Sequence, residues 1–148
     1  EGGKKIIPMV RILIKNKIPV MGHLGILPQT EKKFIFKGKR FDERKKIFNE
    51  AKLLDDAGVF SIVLECIETK LSKKITNQIK APTIGIGSSS NCDGQVLVID
   101  DLIGLSQTKF KFVKKYTNVT KIIDKAVNKF KLEVKKKQFP KKKHSFNI

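Results

Sequence analysis

The feature that most constrains the fold is a series of short apolar runs that alternate with segments of helical periodicity. The runs lie at residues 17–23, 61–65, 82–87 and 95–100. They are rich in β-branched residues and have the length of buried strands. Strands that alternate with helices in this way form parallel sheets with right-handed crossovers. The chain is therefore predicted to be an α/β protein with the element order α, β, α, β, α, β, β, α.

The predicted elements have the following bounds. Strands are expected at 18–22, 60–65, 82–87 and 95–99, and helices at 4–16, 41–57, about 68–79 and about 109–137. Residues 23–40 are predicted to form a long loop, which after a barrel strand is usually functional. The Pro- and Lys-rich tail at 138–148 is predicted to be irregular.

Polar side chains stand at the C-terminal ends of these runs. They are Glu65, His23, Asp100 and Asp101. Parallel sheets gather the C-terminal ends of their strands at one edge, which is where α/β barrels keep their catalytic groups. We expect one edge to collect all four side chains, which favours an enzyme site over a binding module.

The net charge of +18 raises nucleic-acid binding as a further hypothesis. However, only Arg11, Arg40 and Arg44 are arginines, and the chain has one Tyr and no Trp. Bidentate reading of bases and phosphates favours arginine, and stacking of bases needs aromatic rings. We therefore predict no nucleic-acid partner.

The sequence also bears on the compartment. No run of 18 apolar residues is present, so no membrane span is predicted. The start, Glu1-Gly-Gly, has no signal-peptide pattern and suggests a piece of a longer protein. Cys66 and Cys92 do not form a disulfide framework, so we predict a reducing, cytoplasmic location in which Cys66 packs into the core.

Several long segments resemble ketopantoate hydroxymethyltransferases. The matching segments are IPVMGHLGILPQT (18–30), VLECIETKLSKKIT (63–76), PTIGIGSSSNCDGQVLVIDDLIGL (82–105), KFVKKY (111–116) and FPKKKHSF (139–146). The resemblance implies a (β/α)8 TIM barrel of the phosphoenolpyruvate/pyruvate superfamily. Residues 1–148 would be the C-terminal half of that single domain, from the end of strand four to helix eight.

The resemblance also implies a reaction. The family transfers a one-carbon unit from 5,10-methylenetetrahydrofolate to 3-methyl-2-oxobutanoate, which gives 2-dehydropantoate for pantothenate synthesis. Mg²⁺ chelates the keto acid, and a glutamate removes its C3 proton. The partners implied are these small molecules and further copies of the chain, because the family assembles as decamers.

Three residues match functional positions of the family. Glu65, in Leu64-Glu65-Cys66, matches the general base, and Glu1 matches a glutamate of the metal site. His23 matches a histidine that faces the active site, where it contacts substrate or folate or orders a loop; a packed histidine is the alternative. The family's two metal-binding aspartates and its substrate lysine are not in this sequence. The chain alone is therefore predicted to be inactive or nearly so, and a non-catalytic remnant or complementing half of a split barrel is the alternative.

Overall fold

The computed structural model describes residues 1–29, 35–107 and 109–146. Its α-helices are α1 (Ile7–Lys15), α2 (Phe41–Asp56), α3 (Thr69–Thr76), α4 (Ile99–Leu102) and α5 (Val119–Lys135). Its strands are β1 (Met21–Gly25), β2 (Ser61–Glu65), β3 (Thr83–Ile86) and β4 (Gly94–Gln95). Short 3-10 turns cover Lys4–Ile6 and Lys142–His144. The order agrees with the prediction except for the additional helix α4.

The four strands form one parallel sheet in the order β1-β2-β3-β4. This confirms the predicted α/β class with a parallel sheet. Successive residues of a strand point to opposite faces. Leu24, Ile62 and Leu64 face the helices, and each is at least 97% buried. On the opposite face, register places His23 beside Val63, and Gly25 beside Glu65.

The hydrophobic core fills the space between the sheet and helices α1 to α3. Its helical members are Ile7, Val10, Ile47, Ala51, Leu54, Leu71 and Ile75. Gly58 follows α2 in the left-handed conformation, with φ +89°, as expected for a helix-ending glycine. The burial of this face fixes the register of β2, since a shift by one residue would turn its apolar side chains away from the helices.

The chain divides into two compact units, Glu1–Val96 and Leu97–Ile148. The first holds the sheet and α1 to α3. In the second, the Tyr116 and Val119 amides donate to the carbonyls of Leu102 and Ile103, which ties the approach to α5 to the end of α4. The rings of Phe139 and Phe130 lie 5.4 Å apart between centroids, so the tail contacts α5. Apart from its 3-10 turn, the tail has no regular secondary structure over its described residues.

The bounds of the first and last strands differ from the prediction. β1 begins at Met21 rather than at residue 18, because pairing with β2 starts at Met21 opposite Ser61 and Pro19 has no amide proton to donate. β4 was predicted at 95–99 but covers only Gly94–Gln95. Its pairing with β3 ends at Gly85 opposite Gln95, and the chain then turns into α4.

The last helix is shorter than predicted. It begins at Val119 rather than near residue 109, because the Asn118 side chain accepts the Lys121 amide at 3.1 Å and caps the helix there. Of the predicted loop at 23–40, residues 30–34 lie outside the described residues. None of the helices in the described part of the chain has the length and apolar character needed to cross a bilayer.

Candidate active site

Glu65 is the last residue of β2, and only 8% of it is exposed. Its carbonyl oxygen accepts the Ile26 amide at 3.0 Å, which joins the end of β2 to the chain that follows β1. The two strands approach closely here: a Cβ at Gly25 would overlap the Glu65 carbonyl oxygen. Gly25 also has φ +109°, which disfavours any other residue. The base candidate is therefore held by its backbone on a buried strand.

His23 lies between two carboxylates. Its Nε2 atom is 3.1 Å from Glu65 Oε2, and its Nδ1 atom is 3.5 Å from Glu1 Oε1. The backbone brings Glu1 here, because the Gly2 amide donates to the His23 carbonyl at 3.1 Å. The structure thus brings together the three residues singled out from the sequence. Among the described residues, the buried Nε2 atom has no well-aligned hydrogen-bond partner, although it lies close to the Glu65 carboxylate.

The surroundings of Glu65 shift its pKa in opposite directions. Burial raises the pKa of Glu65, because a carboxylate loses hydration inside the protein. The charge and proximity of His23 lower that pKa, and the Glu1 carboxylate raises it further. The outcome is a pKa above the ordinary glutamate value. Glu65 therefore combines a higher proton affinity than a surface glutamate with a neighbour that favours its ionised form.

Cys66 follows Glu65 but is not suited to nucleophilic chemistry. It is buried, and burial with a smaller contribution from Glu65 raises the pKa of its thiol to about 11. The thiolate is the reactive form, so at neutral pH this thiol is inert. The predicted packing of Cys66 is confirmed, and Cys92 is also free and buried.

The predicted position of Asp100 and Asp101 directly after a strand is wrong. β4 ends at Gln95, and both aspartates lie in the first turn of α4, in the second unit. Carboxylates in a first helical turn are favoured by the partial positive charge of the helix N-terminus. The pairing of β4 with β3 ends at Gln95, so the apolar run that continues to Ile99 lies outside the strand. Their sequence position next to a β-branched run therefore gave a false signal.

The described residues do not form a metal site on their own. Nowhere among them do three or more His, Cys, Asp or Glu side chains lie close enough to hold a metal ion. Mg²⁺ prefers six oxygen ligands in octahedral geometry. Glu1 can supply one carboxylate, but the remaining ligands would have to come from elsewhere.

A cavity of about 700 Å³ opens next to Glu1, between the first residues of the chain and α2. Its polar lining includes Lys4, Lys5, Lys37, Lys46, Glu43 and Glu50. The Lys4 amide lies 3.3 Å from Glu50 Oε1, so α2 also helps to place the start of the chain. The cavity has room for a small organic molecule on the Glu1 side of the site.

Sequence reasoning missed Ser88. Its hydroxyl donates to the Leu64 carbonyl at 2.8 Å and accepts the Ile67 amide at 3.0 Å. It therefore braces the chain on both sides of Glu65. The available signal was a serine directly after the predicted strand 82–87.

Fold and site together define an α/β protein with a parallel sheet that presents a buried carboxylate and a histidine at the carboxyl end of its strands. Comparison with known proteins makes this specific. The model of the ketopantoate hydroxymethyltransferase family matches residues 1–142, and the chain belongs to that family.

Individual relatives carry the matching name, 3-methyl-2-oxobutanoate hydroxymethyltransferase. The chain is 62% identical to the one from Pelagibacter ubique over 99% of its own length and 57% of the relative. It is 45% identical to that of Carboxydothermus hydrogenoformans, covering 100% of this chain and 55% of the relative. For Pyrobaculum neutrophilum the identity is 46%, with 97% and 56% covered. The chain thus spans a little over half the length of the curated relatives it matches.

Proposed function

We propose that this chain supplies the general base of a hydroxymethyltransferase that makes 2-dehydropantoate from 3-methyl-2-oxobutanoate and 5,10-methylenetetrahydrofolate, a step of pantothenate biosynthesis. The observation that carries the proposal is the position of Glu65. In a chain of this family, it is buried at the carboxyl end of β2 with His23 Nε2 at 3.1 Å. A cytoplasmic, homo-oligomeric enzyme remains the expectation for the whole protein.

Glu65 suits the removal of a proton from carbon. The C3–H bond of a 2-oxo acid is weakly acidic, so a base gains from a proton affinity above that of an ordinary carboxylate. Burial gives Glu65 that affinity, and His23 keeps the ionised form accessible. Glu65 would take the C3 proton, and the electron pair of the C–H bond would move into the enolate.

The remaining steps balance as follows. The enolate carbon forms a bond to the methylene carbon of the folate, and the first of that carbon's two carbon–nitrogen bonds breaks. Water then supplies the hydroxyl group as the second carbon–nitrogen bond breaks. The proton taken from C3 and one proton of the water end on the two nitrogens of the tetrahydrofolate that leaves. A divalent metal such as Mg²⁺, when bound, would stabilise negative charge on the keto oxygen. Of the described residues, Glu1 would hold this metal, and its other ligands would come from elsewhere.

We further propose that residues 1–148 are the C-terminal half of a single (β/α)8 barrel. Two observations support this: the sheet has four parallel strands, and the chain covers 57% of its Pelagibacter relative. The half on its own would be inactive, because the metal-binding set is incomplete. The same incompleteness favours a second candidate, a non-catalytic remnant or a complementing half that acts only by docking.

Reconstitution separates these candidates. The chain would be produced alone and together with the part of the Pelagibacter ubique relative that it does not cover. Formation of 2-dehydropantoate would be measured with both substrates and Mg²⁺. We expect product only from the reconstituted protein. The control Asp56→Asn, at an exposed carboxylate at the end of α2, should retain full activity. A folded complex that makes no product would instead support the docking or remnant role.

A further inference from the structure

We propose that Arg44 is a positioning residue for Glu65: with Glu68, it holds loop residues 37–39 against the turn that carries the base. This inference rests on the proposed role of Glu65. Arg44 and Glu68 lie 24 positions apart in the sequence, and no step of the proposed mechanism uses either side chain.

Arg44 bridges two segments through one nitrogen. Its Nη1 atom lies 2.7 Å from Glu68 Oε2 and 3.2 Å from the Gly38 carbonyl oxygen. Both side chains are partly buried, which distinguishes this pair from a solvent-exposed ion pair with little net effect. Arg44 therefore links the start of α3 to the loop before α2.

Glu68 is fixed from the other side. Its carboxylate accepts the amides of Lys70 and Leu71 at 3.0 and 2.9 Å, and so caps α3. Burial opposes ionisation, but these hydrogen bonds and Arg44 outweigh it and lower the pKa of Glu68. An ionised carboxylate thus anchors Arg44 at neutral pH.

The loop that Arg44 holds is the one that pairs with the turn after Glu65. The Lys37 amide donates to the Cys66 carbonyl at 2.8 Å, and the Lys37 carbonyl accepts the Glu68 amide at 2.9 Å. Glu43 accepts the Gly38 amide at 2.7 Å and so fixes the next residue. The loop therefore forms a short parallel bridge, Lys37 to Ile67, directly beside the base.

The turn needs such support because Cys66 has φ +50°. A residue with a Cβ in this region is strained, and the conformation persists only where its surroundings impose it. The Cys66 amide is held by the Ile86 carbonyl at 2.8 Å, and its carbonyl by Lys37. Loss of Arg44 would remove the support of the Gly38 carbonyl and so weaken the Lys37 side of the turn, and the direction of the Glu65 side chain would change with it.

The test compares Arg44→Met and Arg44→Lys with Arg40→Met. Arg40 is a matched control because it also forms a 2.7 Å ion pair, with Asp42, at the start of α2, but both of these side chains are exposed. The first readout is amide hydrogen exchange of the chain itself, in peptides that contain Lys37 and Glu68. The second is the C3 hydrogen–deuterium exchange of 3-methyl-2-oxobutanoate by the reconstituted protein.

We expect Arg44→Met to speed amide exchange at Lys37 and Glu68 about tenfold, Arg44→Lys to lie between it and the parent, and Arg40→Met to have no effect. In the keto acid assay, kcat should fall about tenfold with KM unchanged, because misplaced reacting groups slow the chemical step. If Arg44→Met does not fold, the same comparison is made with Arg44→Lys.

Unchanged amide exchange at Lys37 and Glu68 in a folded Arg44 variant would overturn the proposal, as would an equal effect of Arg40→Met. The amide-exchange result does not depend on catalytic activity. If the parent protein fails to exchange the keto acid, the proposed function of Glu65 fails, while amide exchange still decides whether Arg44 holds the turn.

Discussion

Glu65 and His23 show how two side chains set the proton affinity of a candidate base. The pKa of Glu65 in the folded protein is raised above its ordinary value, so the folded state binds this proton more tightly than the unfolded chain. Between the two pKa values the folded state therefore holds more protons. The contribution of Glu65 to stability is fully present below its unfolded pKa and is lost as pH rises to the raised folded pKa.

Replacement of His23 should move the pH dependence of proton abstraction. His23 lowers the pKa of Glu65, so in His23→Gln that pKa should rise. Activity needs the ionised carboxylate and increases with pH through this pKa, so the lower midpoint of the pH–rate profile should shift to higher pH. The profile would be measured as C3 exchange by the reconstituted protein. A midpoint that stays in place or moves down would contradict the assigned interaction.

Gly25 should tolerate no side chain. In Gly25→Ala the new Cβ overlaps the Glu65 carbonyl, in addition to the strain of φ +109°. Gly58→Ala is the matched control. Gly58 also has a positive φ, +89°, but a Cβ there would make only ordinary van der Waals contacts with Ile14. Urea unfolding should show Gly25→Ala to be the less stable variant by about 1–3 kcal/mol, the usual penalty of overpacking. Equal losses would mean that strain alone matters at Gly25.

Among the helices and strands, the sequence pattern predicted those whose ends are determined by nearby residues. β2 and α2 were predicted within one residue of their observed ends, because an apolar run buried on one face and an amphipathic stripe ending in Gly58 both carry their signal in sequence. The predicted length of β4 was wrong, because the length of a strand depends on its partner, and β3 offers little further pairing. The predicted start of α5 was wrong, because Asn118 caps the helix there although the helical spacing of apolar residues continues upstream.

The residues in and around the candidate site were also predicted only in part. The resemblance to the family named Glu65, His23 and Glu1, and the structure brings them together. The pair Arg44 and Glu68 was missed, because its members lie on different elements and have no periodic relation. Such contacts arise only when α2 and α3 pack side by side.

The link from α2 to β3 offers a prediction for element stability. The Asp55 carboxylate accepts the amides of Lys80 and Ala81, with distances of 2.8–3.1 Å. Asp55→Ala leaves these donors without their acceptor, and we expect a loss of about 1–2 kcal/mol in the free energy of unfolding. The neighbouring exposed Asp56→Ala serves as control and should change stability by less than about 0.5 kcal/mol in the same urea titration. Equal effects would contradict the structural role of Asp55.

For the molecule as a whole, α5 presents apolar side chains to solvent. Ile122, Val127 and Phe130 are 62%, 57% and 54% exposed. Exposed apolar surface of this kind is typical of interaction sites.

The half-barrel proposal therefore predicts a change of surface on reconstitution. The chain alone should bind a hydrophobic dye such as anilinonaphthalene sulfonate, and the fluorescence should fall when the complementary part of the Pelagibacter relative is added. An unrelated acidic protein at the same concentration controls for charge. Equal fluorescence with and without the complementary part would contradict the half-barrel proposal.

The most direct test of Glu65 as the base is the exchange of the C3 hydrogen of 3-methyl-2-oxobutanoate for deuterium, followed by NMR with Mg²⁺ and without folate. The reconstituted protein would be compared with its Glu65→Gln and Asp56→Asn variants. We predict that Glu65→Gln lowers the exchange rate about 10²–10⁴-fold, the usual contribution of a general base, and that Asp56→Asn, at an exposed carboxylate, leaves it unchanged. Exchange at the parental rate in a folded Glu65→Gln variant would show that another group removes the proton.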